Sequence, residues 1–221
     1  MLDVAWISSH LPAIAARAGQ HIQLAGIALI IGFALSFALA LLALRWRASY
    51  PLISGMAGIL YTIPSLALFG ALITITGFSL VTVEVPLIAY TLVILVRNIV
   101  NGFDSVPSDV LEAAEAMGYT GSQRLLRVNL PLAVPLIIAG LRLASVSTIA
   151  LVTITAVVSQ TFGGLGVFII ERPFFLTEVL VGALGSIVLA IAADVLLARL
   201  QVALTPWSRR AVEPIRPEVG A

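Results

Sequence analysis

The chain has 221 residues, of which 60% are hydrophobic and only 10% charged, with a formal net charge of +1 and a mean hydropathy of +1.11. Soluble domains average about 25% charged residues; this chain has too few to cover a water-facing surface and reads as an integral membrane protein. All 12 basic residues are arginine and cysteine is absent, which excludes disulfides, thiolate metal sites, a thiol nucleophile and a P-loop, whose lysine must reach the nucleotide phosphates.

The charge pattern points to neither nucleic-acid binding nor a charged tail. Residues 1–20 carry Asp3 where a secretory leader would be basic and hold no sustained apolar run, so no leader is expected there; they read as an N-terminal segment that the arginine distribution below places outside the membrane. His10 and His21 are the two histidines, at neither spacing that would put two ligands on one helix face, and no metal site, cofactor site or catalytic group is predicted.

About 20 apolar residues cross a bilayer as a helix. Such runs predict five crossings within a transmembrane domain at 21–200: 23–44, 54–76, 83–100, 132–158 and 178–200. Helices are expected because lipid offers the backbone no hydrogen-bond partner, and the runs lack the short alternating pattern of a membrane barrel. The fold class is therefore all-α. The remainder, 201–221, with Pro206, Pro214, Pro217 and Gly220, reads as a disordered cytoplasmic tail.

Five crossings put the two termini on opposite sides. With the N-terminus outside, Arg45, Arg47, Arg97, Arg124, Arg127, Arg199, Arg209, Arg210 and Arg216 are inside, and only Arg17 and Arg172 are outside. The positive-inside rule selects this arrangement. The polar connection 101–131 is then cytoplasmic, and residues 159–177 lie on or near the outer face.

That cytoplasmic connection reads as two short helices meeting at Gly118. Pro107 suits a first helical turn, and Asp109 and Glu112 suit the positive end of the helix dipole. Leu111, Ala114 and Met117 form an apolar stripe. Glu112-Ala113-Ala114 is followed by three residues, Gly118, nine residues, Val128, one residue and Leu130-Pro131.

This pattern resembles the loop motif of importer permeases of the ATP-binding cassette class, with valine at Val128 where the family has isoleucine. Tyr61-Thr62-Ile63-Pro64-Ser65-Leu66-Ala67-Leu68-Phe69-Gly70, together with Arg97-Asn98, Ala139-Gly140-Leu141-Arg142, Gly163-Gly164-Leu165-Gly166 and His21-Ile22-Gln23-Leu24, is similar to the osmoprotectant branch of those permeases, for glycine betaine, choline and carnitine. The resemblance implies a type I importer permease fold in a bacterial cytoplasmic membrane. It also implies a cytoplasmic ATPase dimer, a second permease subunit, identical or homologous, and an extracytoplasmic binding protein as partners. ATP hydrolysis would then belong to another chain, and this one is not itself an enzyme. Glu112, Ala113, Ala114, Gly118, Leu126, Leu130 and Pro131 are expected to contact the ATPase. A methionine-type amino-acid importer is the nearest alternative. An ion-coupled carrier or channel would call for paired mid-membrane acids and an inverted repeat, and neither is seen.

Charges inside the membrane are costly and default to a functional reading. Arg142 and Asp194 are expected to form a structural ion pair, or to cap carbonyls, in preference to touching substrate. Glu84 is expected to be solvated near the outer surface. Tyr61 and Pro64 are candidate gate or pathway residues, as are Gly163, Gly164 and Gly166, whose run reads either as a turn or as close packing at the pathway mouth or against a binding protein. Tyr61, Phe69, Tyr90 and Phe162 offer aromatic faces of the kind that bind quaternary ammonium groups, although packing is the commoner role. His21 is expected to be an interfacial polar anchor.

Overall fold

The computed structural model describes residues 2–207, and every regular element among them is helical. Helix α1 spans Val4–Arg45, 42 residues, about 63 Å at 1.5 Å per residue. That is about twice the hydrocarbon thickness of a bilayer. The predicted boundary at residue 20 is absent. Asp3 caps the helix by accepting the Trp6 N–H at 2.9 Å, and the alanine-rich stretch that follows has Pro12 as its one internal proline. Tertiary contacts hold this first part in place: the Asp3 N–H donates to Thr177 Oγ1 at 2.9 Å, and the Trp6 ring packs edge-on against Phe168 and Phe175.

After a 3-10 turn, Arg47–Ser49, come α2, Tyr50–Thr62, and α3, Ser65–Thr76. The sequence predicts one crossing at 54–76, but the chain there is two helices bent by 93°. Pro64 is the cause. Its ring lacks an N–H and disfavours helical geometry at the residue before it, and Ile63 is extended at φ −73°, ψ 126°. The Ile63 carbonyl, freed from the helical ladder, accepts the Tyr90 hydroxyl instead.

Helix α4, Leu80–Asp104, starts three residues before the predicted crossing because Ser79 caps it, accepting the Thr82 N–H at 3.3 Å. Glu84 therefore falls inside the helix and not at its solvated end. It is only 6% exposed, and neither carboxylate oxygen has a hydrogen-bond partner among the described residues.

The polar connection folds into α5, Ser108–Ala116, and α6, Gly121–Arg124. A wide π turn, Leu125–Asn129, runs on into α7, Leu130–Val158. Two 3-10 turns and the short α8, Val167–Ile170, lead to α9, Leu176–Leu204. Residues 201–204 of the predicted tail belong to α9, and Thr205 behind them is buried; the rest of that tail, from residue 208, lies outside the described residues. Among the described residues four helical stretches are long and apolar enough to cross a membrane, and the bent α2–α3 pair makes five.

Helix α4 is central, packed between α1 and α7, with α9 against the far side of α7. Lipid tails are as apolar as leucine, so helices in a membrane associate through close fit, and small residues permit it. A Cβ at Gly102 of α4 would stand 3.0 Å from the Ala133 carbonyl of α7. Ala40, Ala43, Ala133 and Ala144 pack around Leu95, Ile99 and Phe103, and a second cluster gathers Leu24, Ala28, Leu87 and Val152 around Phe69.

Candidate functional site

The elbow formed by α5, α6 and the π turn is built from local rules. Gly118 closes α5 with φ +78°, a conformation that L side chains resist. Its N–H donates to the Glu115 carbonyl at 2.9 Å, and the Tyr119 N–H donates to the Ala114 carbonyl at 3.1 Å. Those bonds satisfy two of the last four carbonyls of α5. Thr120 then opens α6 with a reciprocal cap: it accepts the Gln123 N–H, and the Gln123 side chain accepts the Thr120 N–H at 2.9 Å. Arg124 pairs with Glu115 across the bend. Two short helices that could not persist alone are thereby fixed to each other.

Of the predicted ATPase-contact residues, Glu112, Ala113, Gly118 and Leu126 are exposed, and Leu130 and Pro131 are half-buried where α7 begins. Ala114 is 1% exposed and packs inside the elbow. It lets the two halves close on each other and is not available to a partner. The predicted stripe of Leu111, Ala114 and Met117 breaks at its last member. Met117 follows the final residue of α5 and is 70% exposed. With Val110 and Ala113 it forms an exposed row at spacings of three and four, and Leu126 is exposed on the second half of the elbow. The elbow thus presents apolar side chains beside the exposed carboxylate of Glu112.

A second feature is a cleft of about 390 Å³ at the α2–α3 break, lined by Tyr61, Pro64, Ser65, Tyr90, Ser147 and Thr148 among others. The rings of Tyr61 and Tyr90 lie 5.9 Å apart at 69°. Of the four aromatics considered from sequence, these two share the cleft, while Phe69 is fully buried in the core.

The glycine run does not line that cleft. Gly163, Gly164, Leu165 and Gly166 are buried among α1, α7 and α9. Gly164 holds φ +50°, and a Cβ on it would stand 2.9 Å from His21 Nδ1. A Cβ on Gly163 would stand 2.6 Å from the Ala156 Cα, and one on Gly166 would land on the Thr153 carbonyl. His21 is likewise no interfacial anchor but fully buried. The Leu165 N–H donates to its Nδ1 at 3.3 Å, so the neutral Nε2–H tautomer donates to the Ile149 carbonyl at 3.0 Å. Gln20 accepts the Gly164 N–H and donates to the Thr161 carbonyl, and Arg17 donates to the Gln160 carbonyl. An irregular turn buried away from water must find partners for its peptide groups. Three polar residues of α1 supply them, a role that no local sequence pattern announces.

Gly166→Ala is accordingly expected to lower the thermal unfolding midpoint of the detergent-purified protein, at a cost of about 1–3 kcal/mol for overpacking. Gly70→Ala, whose Cβ meets nothing within 4 Å, should leave the midpoint unchanged or slightly raised. Equal midpoints for the two variants would contradict this packing.

Arg142 of α7 and Asp194 of α9 come together in a two-pronged contact: Nε donates to Oδ1 at 2.7 Å and an Nη to Oδ2 at 2.9 Å. Arg47, just past the end of α1, makes a similar exposed contact with Asp104 at the end of α4, at 3.0 and 2.6 Å. The Asp104 hydrogen bond holds the Arg47 guanidinium above its ordinary pKa, though an exposed pair of this kind contributes little to stability.

The profile of the binding-protein-dependent transport system inner membrane component family matches residues 30–210. The chain belongs to that family. As a permease subunit of an ATP-binding cassette importer, it is 35% identical over 194 residues to the osmoprotectant import permease protein OsmW of Salmonella typhimurium strain LT2, covering 85% of this permease and 89% of that one. It is 30% identical over 192 residues to the glycine betaine/carnitine/choline transport system permease protein OpuCB of Bacillus subtilis strain 168, covering 86% and 88%. Among solved structures, an inward-facing form of the MetNI methionine transporter superposes with a TM-score of 0.77 at 20% identity, covering 87% of this permease and 96% of that chain. At that identity the likeness speaks to the fold alone: the type I importer arrangement, in which the α5–α6 elbow of this permease projects from between two membrane helices.

Proposed function

We propose that this permease imports a quaternary-ammonium osmoprotectant, glycine betaine, choline or carnitine, in an ATP-driven complex. The observation that carries the substrate class is the extent of the match to permeases named for those solutes: at least 30% identity over more than four fifths of the chain. Methionine and amino-acid transporters share its fold at 20% identity or less.

In this reading the elbow docks in a cleft of a cytoplasmic ATPase dimer, with Glu112 offering a charge, and Ala113, Met117 and Leu126 an apolar surface. Nucleotide-driven closure moves the elbow as a rigid body, and α4 and α7, attached at either end, carry the motion into the membrane. A second permease subunit completes the pathway, and an extracytoplasmic binding protein delivers the solute.

The N-terminus is assigned outside and the C-terminus inside. Two sets of contacts support opposite ends for the relevant parts: Arg17 and Gln20 meet the turn at 160–164 at one end, and Arg47 meets Asp104, beside the elbow, at the other. The arginine excess then selects the elbow end as cytoplasmic.

Proteoliposomes holding the permease, its ATPase and its binding protein are expected to take up glycine betaine only with ATP on the ATPase side. A cysteine at Ser122, unique in a permease without native thiols, should label only from that same side. Uptake of methionine but not of betaine, or labelling from the opposite side, would defeat the corresponding part of the assignment.

A further inference from the structure

The cleft at the α2–α3 break holds chemistry that import alone does not require. Tyr90 is fixed by its hydrogen bond to the Ile63 carbonyl, which Pro64 released from the helix. Tyr61, 58% exposed, meets the buried Tyr90 ring edge to face, so the two rings form a corner in the cleft wall. Ser65, Ser147 and Thr148 add hydroxyl groups to a lining that also includes Ile94 and Leu151, and no carboxylate among the described residues joins it. Further along the α2–α4 groove, one turn before Tyr61, the Arg97 guanidinium lies against Gly58, with a nitrogen 3.6 Å from where a Cβ would stand. Arg97 is two turns beyond Tyr90 on α4, a rise of about 10 Å, and it has no ion-pair partner among the described residues.

These groups discriminate between ligands. A metal ion or a primary ammonium would lose water here without gaining a carboxylate. A quaternary ammonium has no N–H to satisfy, and aromatic faces attract it directly, most strongly where water is excluded. Arg97 would repel a simple cation, whereas a zwitterion can turn its carboxylate toward the guanidinium. The volume of about 390 Å³ suits a small solute.

We propose that this cleft is a transit site for zwitterionic quaternary-ammonium solutes, holding the trimethylammonium group in the corner that the Tyr61 and Tyr90 rings form and the carboxylate toward Arg97. The proposal rests on the osmoprotectant assignment above. It adds a substrate contact inside the membrane, selective for betaine-type zwitterions over choline.

Because the chain has no cysteine, Ser65→Cys places one thiol in the cleft. In the reconstituted permease–ATPase complex, labelling of that thiol by a trimethylammonium-bearing methanethiosulfonate is followed by the mass of the permease. At a concentration about four times its dissociation constant, glycine betaine should slow labelling roughly fivefold, and choline at the same concentration should slow it less. Adding Tyr61→Leu should abolish the protection, whereas Tyr61→Phe, which keeps the ring, should retain it. Arg97→Gln should bring betaine and choline to equal protection. Betaine protection that survives Tyr61→Leu, or a betaine preference that survives Arg97→Gln, would overturn the site. Betaine uptake is assayed on the unsubstituted complex with its binding protein. Intact uptake without protection overturns the site and leaves the import assignment standing; no uptake of any quaternary ammonium solute overturns both.

Discussion

Gly118→Asp is expected to leave the permease inserted and folded while abolishing ATP-driven uptake and weakening ATPase retention during purification. Gly118 has φ +78°, and a Cβ there would meet no atom of the described residues within 4 Å, so the substitution does not collide with the described fold. Its cost is conformational: about 1–2 kcal/mol for a left-handed residue, enough to shift the population of the closed elbow by about five- to thirty-fold. The side chain also projects from an exposed bend, where a partner would approach most closely. A series separates the two effects. Asparagine tolerates the left-handed region better than alanine does, so conformational strain predicts that Gly118→Asn keeps more activity than Gly118→Ala. Loss of clearance predicts the reverse order. Glu112→Lys should also abolish uptake, because Glu112 is exposed and has no ion-pair partner among the described residues. Glu115→Lys should damage the elbow itself by placing a lysine beside Arg124, the partner that Glu115 holds across the bend. Normal ATP-driven uptake with both Gly118→Asp and Glu112→Lys would remove the elbow from the coupling route.

The second large effect is expected at Arg142 and Asp194. Each single neutral substitution, Arg142→Met or Asp194→Leu, should reduce the amount of folded permease in the membrane fraction and lower its unfolding midpoint. The double substitution should recover part of the loss. The two-pronged geometry, at 2.7 and 2.9 Å, satisfies both charges together, and removing one strands the other in a region where unpaired charge is disfavoured. The measurement is a double-mutant cycle on midpoint and yield. Strictly additive effects would mean that the observed contact carries no coupling.

The amino-acid sequence alone determined the class of protein and its membrane character, because those depend on bulk quantities: the scarcity of charge and the length of the apolar runs. It also determined the elbow in outline. Helix caps and stops are local chemistry, and Gly118, Thr120 and Gln123 carry their roles within a few residues. Arg142 and Asp194 were legible as partners because an intramembrane charge needs another nearby.

What the tertiary structure decided lies where the partner is far along the chain. Pro64 reads as a possible kink, but the 93° break and the use of the freed Ile63 carbonyl by Tyr90 depend on α4 lying alongside. His21 looks like an interfacial polar residue until Ile149 and Leu165, more than a hundred positions away, close around it. The glycine run has the composition of a loose turn, yet Ala156, Thr153 and His21 press on it from helices that meet only in the fold. Ala114 and Glu84 were assigned to partner and solvent by their position in the sequence and are buried in the structure. Burial is a property of neighbours, and apolar periodicity is weak evidence for it in a chain whose lipid-facing and core-facing surfaces are equally hydrophobic.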